Sequence, residues 1–207
     1  MFSELSLKNF IEKLSSPDPT PGGGSASSFV AAFGFSLVSM VLGIASKKNS
    51  TQEVLDLIEK TKEYISKAEN LADKDTEAFN KVMDAFKLPK NSEEEKNYRR
   101  SKVQESLKEA STVPLELMSL ILDGSEVVSE AFGFCPDSAI SDLFTALNFF
   151  DAAMEGAYAN VLINLKSIKD DVFVKDSYER TKNIKERFSS FSSDLKEKIL
   201  SKLNIGG

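Results

Sequence analysis

Apolar residues recur every three or four positions along nearly the whole chain, and no segment alternates apolar and polar residues convincingly enough to read as a strand. That periodicity permits helices and little else. A first helix is expected over 4–15 and a second over 24–46, opening straight out of the glycines of "PTPGGGSASS". Ser50-Thr51-Gln52-Glu53 reads as a capping box, so a long third helix starts there and stops before Pro89. Ser92-Glu93-Glu94-Glu95 is a second such box and opens a fourth helix, which Pro114 is expected to kink or break. A fifth helix is expected over 138–167, and a sixth from Asp176-Ser177-Tyr178-Glu179 to the C-terminus. A length of 207 residues suits one core and is short for two. The expectation is therefore an all-α fold, a single-domain bundle of long antiparallel helices spanning 1–207.

The second and fifth helices are apolar around most of their circumference and rich in Ala, Gly and Ser. Helices of that kind are buried on several sides, and a chain this small has difficulty burying two. A homodimer is the expected consequence. The stretch 29–45 is interrupted by Ser36 and Ser39, so a buried helix is expected rather than a membrane span. The opening MFSELSLKNFIEKL reads as an amphipathic helix with acidic residues, unlike a signal or transit peptide. A formal charge of −6, with Lys and Arg interleaved among Glu, argues against a nucleic-acid partner. The lone Cys135 precludes an intrachain disulfide and fits a reducing, cytoplasmic setting.

The chain contains no histidine. Ser–His–Asp triads, Cys–His pairs, H-E-x-x-H metal sites and imidazole acid–base chemistry are all excluded. Proton transfer would fall to a carboxylate, a lysine, a tyrosine or water.

One carboxylate stands out. Ile65, Ala68, Ala72, Asp75, Phe79, Val82 and Phe86 form a core-facing stripe on the third helix, with Asp75 inside it. The neighbouring Glu69, Asp73 and Glu77 are expected on a solvated face. A charge among apolar neighbours is costly unless paired, so Asp75 either cross-links a neighbouring helix or keeps its proton and serves as a general acid. On the fifth helix Asn160 and Asn164 lie in line with Ala153 and Ala157, and Asp142 lies in line with Ala146, Phe149 and Ala153. Buried amides must be hydrogen-bonded, either as struts between helices or to a ligand. The glycine turn is open to two readings as well. It is a plain turn with Ser25 as helix cap, or a stretch of unobstructed N–H groups that meets an anionic or carbonyl-bearing ligand.

These residues resemble the cyclodeaminase/cyclohydrolase family that acts on folate one-carbon units. Four segments carry the likeness over roughly 5–170. They are Pro21-Gly22-Gly23-Gly24-Ser25 with Gly34 and Met40-Val41, and Asp73-Lys74-Asp75-Thr76-Glu77-Ala78-Phe79. Leu88-Pro89-Lys90 follows, with Glu95-Lys96, Arg99, Gln104 and Val113-Pro114-Leu115. The last is Ser141-Asp142 with Gly156-Ala157-Tyr158 and Asn160-Val161-Leu162-Ile163-Asn164-Leu165. Cys135-Pro136 departs from the Gly-Asn the family tends to place ahead of Ser141-Asp142, and Ala45-Ser46-Lys47-Lys48 departs from a Gly- and Lys-rich turn.

The resemblance implies an all-α dimer with a folate site near the subunit contact. It implies ring closure of formimino-tetrahydrofolate to methenyl-tetrahydrofolate with loss of ammonia, Asp75 being the proton donor. Relatives hydrolyse methenyl-tetrahydrofolate instead, and a non-catalytic folate-binding or structural helical dimer is the alternative from another class. On this reading the folate-derived substrate is contacted by Pro21, Gly22, Gly23, Gly24 and Ser25. Lys90 and Arg99 either meet its glutamate carboxylates or are simply solvated. Asp142, Asn160 and Asn164 either read pterin edges or fix the dimer. No metal and no cofactor beyond the folate is expected.

Overall fold

The computed structural model describes residues 1–203; residues 204–207, the expected end of the sixth helix, lie outside the described residues. Six α-helices follow in order: α1 (Leu7–Leu14), α2 (Gly23–Ser46), α3 (Gln52–Lys87), α4 (Glu93–Phe134), α5 (Ile140–Leu165) and α6 (Asp171–Leu203). Short 3₁₀ turns at Phe2–Glu4 and Asp137–Ala139 precede α1 and α5, and no strand occurs among the described residues. The all-α bundle is as expected.

Local chemistry accounts for most boundaries. Ser92 accepts from the Glu95 amide at 3.1 Å while the Glu95 carboxylate accepts from the Ser92 amide at 3.3 Å, a closed capping box at the start of α4. The expected box at residues 50–53 is not formed: Thr51 alone caps α3, accepting from the Val54 amide at 3.3 Å. The sixth helix begins five residues earlier than expected, because the Asp170 carboxylate accepts from the Phe173 amide at 3.0 Å. Asp176-Ser177-Tyr178-Glu179 therefore lies inside α6. Pro114 does not break α4, which runs through it without interruption.

Helix α2 packs chiefly on α3 and α5, and α4 packs on α3 and α5. Phe35 is fully buried, stacked on Tyr64 at 5.1 Å and tilted against Phe150 at 4.6 Å between ring centroids. Burying such a ring contributes roughly 1.5–3 kcal/mol. By length and a mean hydropathy of 2.1, α2 would suffice to cross a membrane, more than its serines suggest, yet half of that window is buried inside the chain. Its outer side leaves Phe33 and Met40 exposed, and Leu7, Ile11 and Leu14 line an exposed face of α1.

Two positions on α3 depart from the helical reading. Asp73 is buried rather than solvated; its carboxylate accepts from the Phe2 amide and, at 2.7 Å, from the Ser3 hydroxyl. Phe86, placed in the core stripe by periodicity, is 46% exposed. Helix α3 is 36 residues long and its last turns run past α2, so the periodic stripe outlasts the neighbour that buries it.

Candidate active site

Gly22 is the N-cap of α2 and supplies no side chain to the orphan amides that follow. Ser25, a candidate cap from sequence, lies inside the helix with its hydroxyl turned across to α3. That hydroxyl is fully buried and sits 2.9 Å from the Ala72 carbonyl, 3.0 Å from Asp75 Oδ2 and 3.2 Å from Thr76 Oγ1. A hydroxyl has one proton to give. When Asp75 is ionised, Ser25 donates to it; when Asp75 is protonated, Ser25 accepts from it and donates to Ala72. The bond is satisfied in both states, although as a donor Ser25 favours the ionised one.

Gly24 meets Asp75 at close range. A Cβ on Gly24 would lie 2.0 Å from Asp75 Oδ1 and 2.4 Å from its Cγ, so only glycine lets α2 start against this carboxyl. Burial raises the Asp75 carboxyl above its ordinary range, while the Ser25 hydroxyl and backbone amide pull it partly back. Asp75 has no cationic partner among the described ion pairs, unlike Asp151, Asp170, Glu109 or Glu155. The salt-bridging reading is thereby set aside, while the capping one holds in part; the acid is held by the hydroxyl and backbone amide of Ser25 in the first turn of α2, in partly apolar surroundings.

Asp75 opens into a cleft of about 330 Å3, lined by Pro19, Thr20 and Gly22–Gly24 at the start of α2, Phe79 and Val82 of α3, Ala110 of α4, and Asn160, Ile163 and Asn164 of α5, with Asn160 lying against Gly23. Another hollow, of about 350 Å3, is bounded by Phe2, Asp73, Thr76 and Glu77, but its buried acid, Asp73, is already occupied by the N-terminal segment and Glu77 is exposed. In the Asp75 cleft the Asn160 amide donates to the Gly156 carbonyl at 2.8 Å, and the Asn164 amide donates to the Ala110 carbonyl of α4 at 2.9 Å. Each asparagine thus gives one amide N–H to protein, and neither Oδ1 has a partner among the described residues. One wall presents bare amides and the positive end of a helix dipole; the other presents acceptors.

The structure brings Gly22, Gly23, Gly24, Asp75, Asn160 and Asn164 to one cleft, with Ser25 beneath Asp75 and the buried Pro21 leading into the glycines. Lys90, Arg99 and Asp142 do not line it. Lys90 is exposed beyond the end of α3. Arg99 donates from Nε and Nη2 to the Phe86 carbonyl at 3.0 and 2.9 Å, closing the C-terminus of α3, and borders a separate groove with Phe86, Arg100 and Lys169. Asp142 lies near Cys135 at the opposite end of α5, about 27 Å from Asn160 at 1.5 Å rise per residue. The Cys135-Pro136 departure is at that far end too, and burial pushes the Cys135 thiol up to about 11. Thr76 and Ala110 were missed from sequence. Thr76 adjoins Asp75 in the chain, and Ala110 is the carbonyl four residues before Pro114, so the signal for each was present. Among the described residues no group of three or more Cys, Asp or Glu side chains is placed to hold a metal ion.

The chain is an all-helical protein with a cleft of about 330 Å3 around one carboxyl raised by burial. Residues 6–183 match the family model described as formiminotransferase-cyclodeaminase. The chain belongs to that family. It is 34% identical to the methenyltetrahydrofolate cyclohydrolase of Methylorubrum extorquens, over 99% of this chain and 100% of that protein. It is likewise 34% identical to the formimidoyltransferase-cyclodeaminase of Mus musculus, over 87% of this chain and 34% of that protein, so it spans about a third of the length of that relative. The crystal structure of formiminotetrahydrofolate cyclodeaminase from Thermotoga maritima superposes with a TM-score of 0.88 at 30% identity, covering 99% of this chain and 100% of that one.

Proposed function

We propose that the chain is a tetrahydrofolate one-carbon enzyme of the cyclodeaminase type, with Asp75 as its general acid. One observation carries this reading: a carboxyl raised by burial, without a cationic partner among the described residues, lines a cleft that also offers a helix start without a side-chain cap. In ring closure the neighbouring folate nitrogen attacks the formimino carbon, and the former imine nitrogen must leave. Amide anion is too basic to depart, so two protons must reach that nitrogen: the attacking nitrogen passes on its own, the protonated Asp75 gives the second, and ammonia leaves to form the methenyl bridge. General acid assistance of this kind is typically worth about 10²–10⁴ in rate. The uncapped amides of Gly23 and Gly24 meet acceptor atoms of the ligand, and Asn160 and Asn164 meet its donors.

The full-length match to a methenyltetrahydrofolate cyclohydrolase favours a second reading, in which ionised Asp75 draws a proton from water attacking the methenyl carbon. Incubating the purified protein separately with formimino- and methenyl-tetrahydrofolate, and following the methenyl absorbance band, distinguishes them. Appearance of the band supports ring closure; its disappearance supports hydrolysis; no change with either substrate rejects both. The exposed apolar residues Phe33 and Met40 on α2, with Leu7, Ile11 and Leu14 on α1, support a homodimer. Sedimentation at micromolar concentration tests it, a monomer being the contrary result.

A further inference from the structure

Pro114 has no N–H, so the carbonyl four residues earlier, at Ala110, has no intrahelical donor, and the proline ring crowds that carbonyl outward. A buried carbonyl without a donor is costly. The donor comes from α5: Asn164 Nδ2 stands 2.9 Å from Ala110 O. Both residues line the Asp75 cleft. A carbonyl can only accept, so the amide must turn its NH2 end to Ala110 and spend one N–H there, and Oδ1 is held facing away from that carbonyl.

We propose that Pro114 is a positioning residue: the carbonyl it frees locks the Asn164 amide, so that the α5 wall of the cleft accepts hydrogen bonds and selects the N–H-bearing edge of the ligand. The ligand half of this statement rests on the folate reading above, and identifies the edge as the amino and ring N–H groups of the pteridine. Asn160, whose amide is spent on Gly156, extends the same acceptor wall by one turn. The adjoining start of α2, with the bare amides of Gly23 and Gly24, takes acceptor atoms, so the ligand has one orientation in which both elements are satisfied.

The test has a ligand-free arm and a ligand arm. In 15N-labelled protein, with Asn164→Ala used to assign the signal, one Asn164 side-chain amide proton is expected to exchange slowly. Pro114→Ala restores an N–H to the helix and is expected to speed that exchange at least tenfold with helicity and melting temperature kept or raised. An Asn164 amide that is unprotected in the unaltered chain overturns the proposal whatever the ligand. In the second arm, calorimetry with tetrahydrofolate is expected to show about fivefold weaker binding for Pro114→Ala, and no further weakening when Pro114→Ala is added to Asn164→Ala. Equal loss in both backgrounds overturns the proposal. An analogue with the pteridine 2-amino group replaced by methyl is expected to bind the unaltered chain more weakly than tetrahydrofolate, and Asn164→Ala equally; equal discrimination by both proteins overturns the assigned edge. Failure of the unaltered chain to bind tetrahydrofolate refutes the folate reading and the assigned edge, and the amide proton still decides the role of Pro114.

Discussion

Gly24 and Asp75 are separated by less than the room a methyl group needs: a Cβ on Gly24 would sit 2.0 Å from Asp75 Oδ1 and 2.7 Å from Oδ2. The first turn of α2 and the carboxyl on α3 are therefore built against each other. Gly24→Ala is expected to displace the carboxyl and to lower kcat/KM by about 10²-fold, since a misplacement near 1 Å has that scale of effect. Steady-state kinetics alongside circular dichroism checks this. Gly133→Ala is the contrast: nothing lies within 4 Å of a Cβ there, and the site is helical and exposed. It is expected to gain about 0.5–1 kcal/mol in urea unfolding.

Asp75→Asn keeps the volume of the side chain and its contact with Ser25 but removes the proton. Turnover is expected to fall by about 10²–10⁴. Stability moves the other way. Because the folded carboxyl titrates above its ordinary value, the native chain holds a proton that the unfolded chain has released, and stability declines as pH rises through that window. The asparagine variant lacks this decline, so at neutral pH it is expected to melt at the same temperature as the parent or higher. A lower melting temperature contradicts the assignment of burial as the cause.

Ser25→Ala removes a hydrogen bond that holds the Asp75 carboxyl down, and so raises it further. For a general acid the active form is the protonated one. The alkaline limb of the pH–rate profile is then expected to move to higher pH, with a lower plateau. If hydrolysis with ionised Asp75 is the reaction, the acidic limb moves up instead, so the same variant reports the direction of chemistry.

Asp73→Ala removes the acceptor that holds Phe2 and Ser3 against α3. A loss of about 1.5–3 kcal/mol is expected in urea unfolding, the scale for hydrogen bonds to a charged group. Hydrogen exchange is expected to quicken over residues 2–14 before it does in α2 to α5. Uniform protection across the variant would show that the N-terminal segment is held by its Phe10–Phe29 contact, at 4.6 Å between ring centroids, rather than by Asp73.

What was legible beforehand follows from how far each interaction reaches along the chain. The helical fold, the Ser92 cap and the anomaly of Asp75 are set by residues within a turn or two of each other, so spacing reveals them. The false box at residues 50–53 and the late start assigned to α6 show the limit: several hydroxyls and acids offered themselves, and packing chose among them.

The sequence by itself determined the class of fold, excluded imidazole chemistry and singled out one carboxyl, because periodicity and composition are local properties. Tertiary structure alone decided that Asp73 is buried and that Asp75 meets no cation among the described residues. It also joined Asn164 to the carbonyl orphaned by Pro114, across 54 residues of chain. Helix spacing shows which side of a helix a residue occupies, but the partner met there, and hence the cost of its charge, depends on which distant helix docks and how closely its backbone comes.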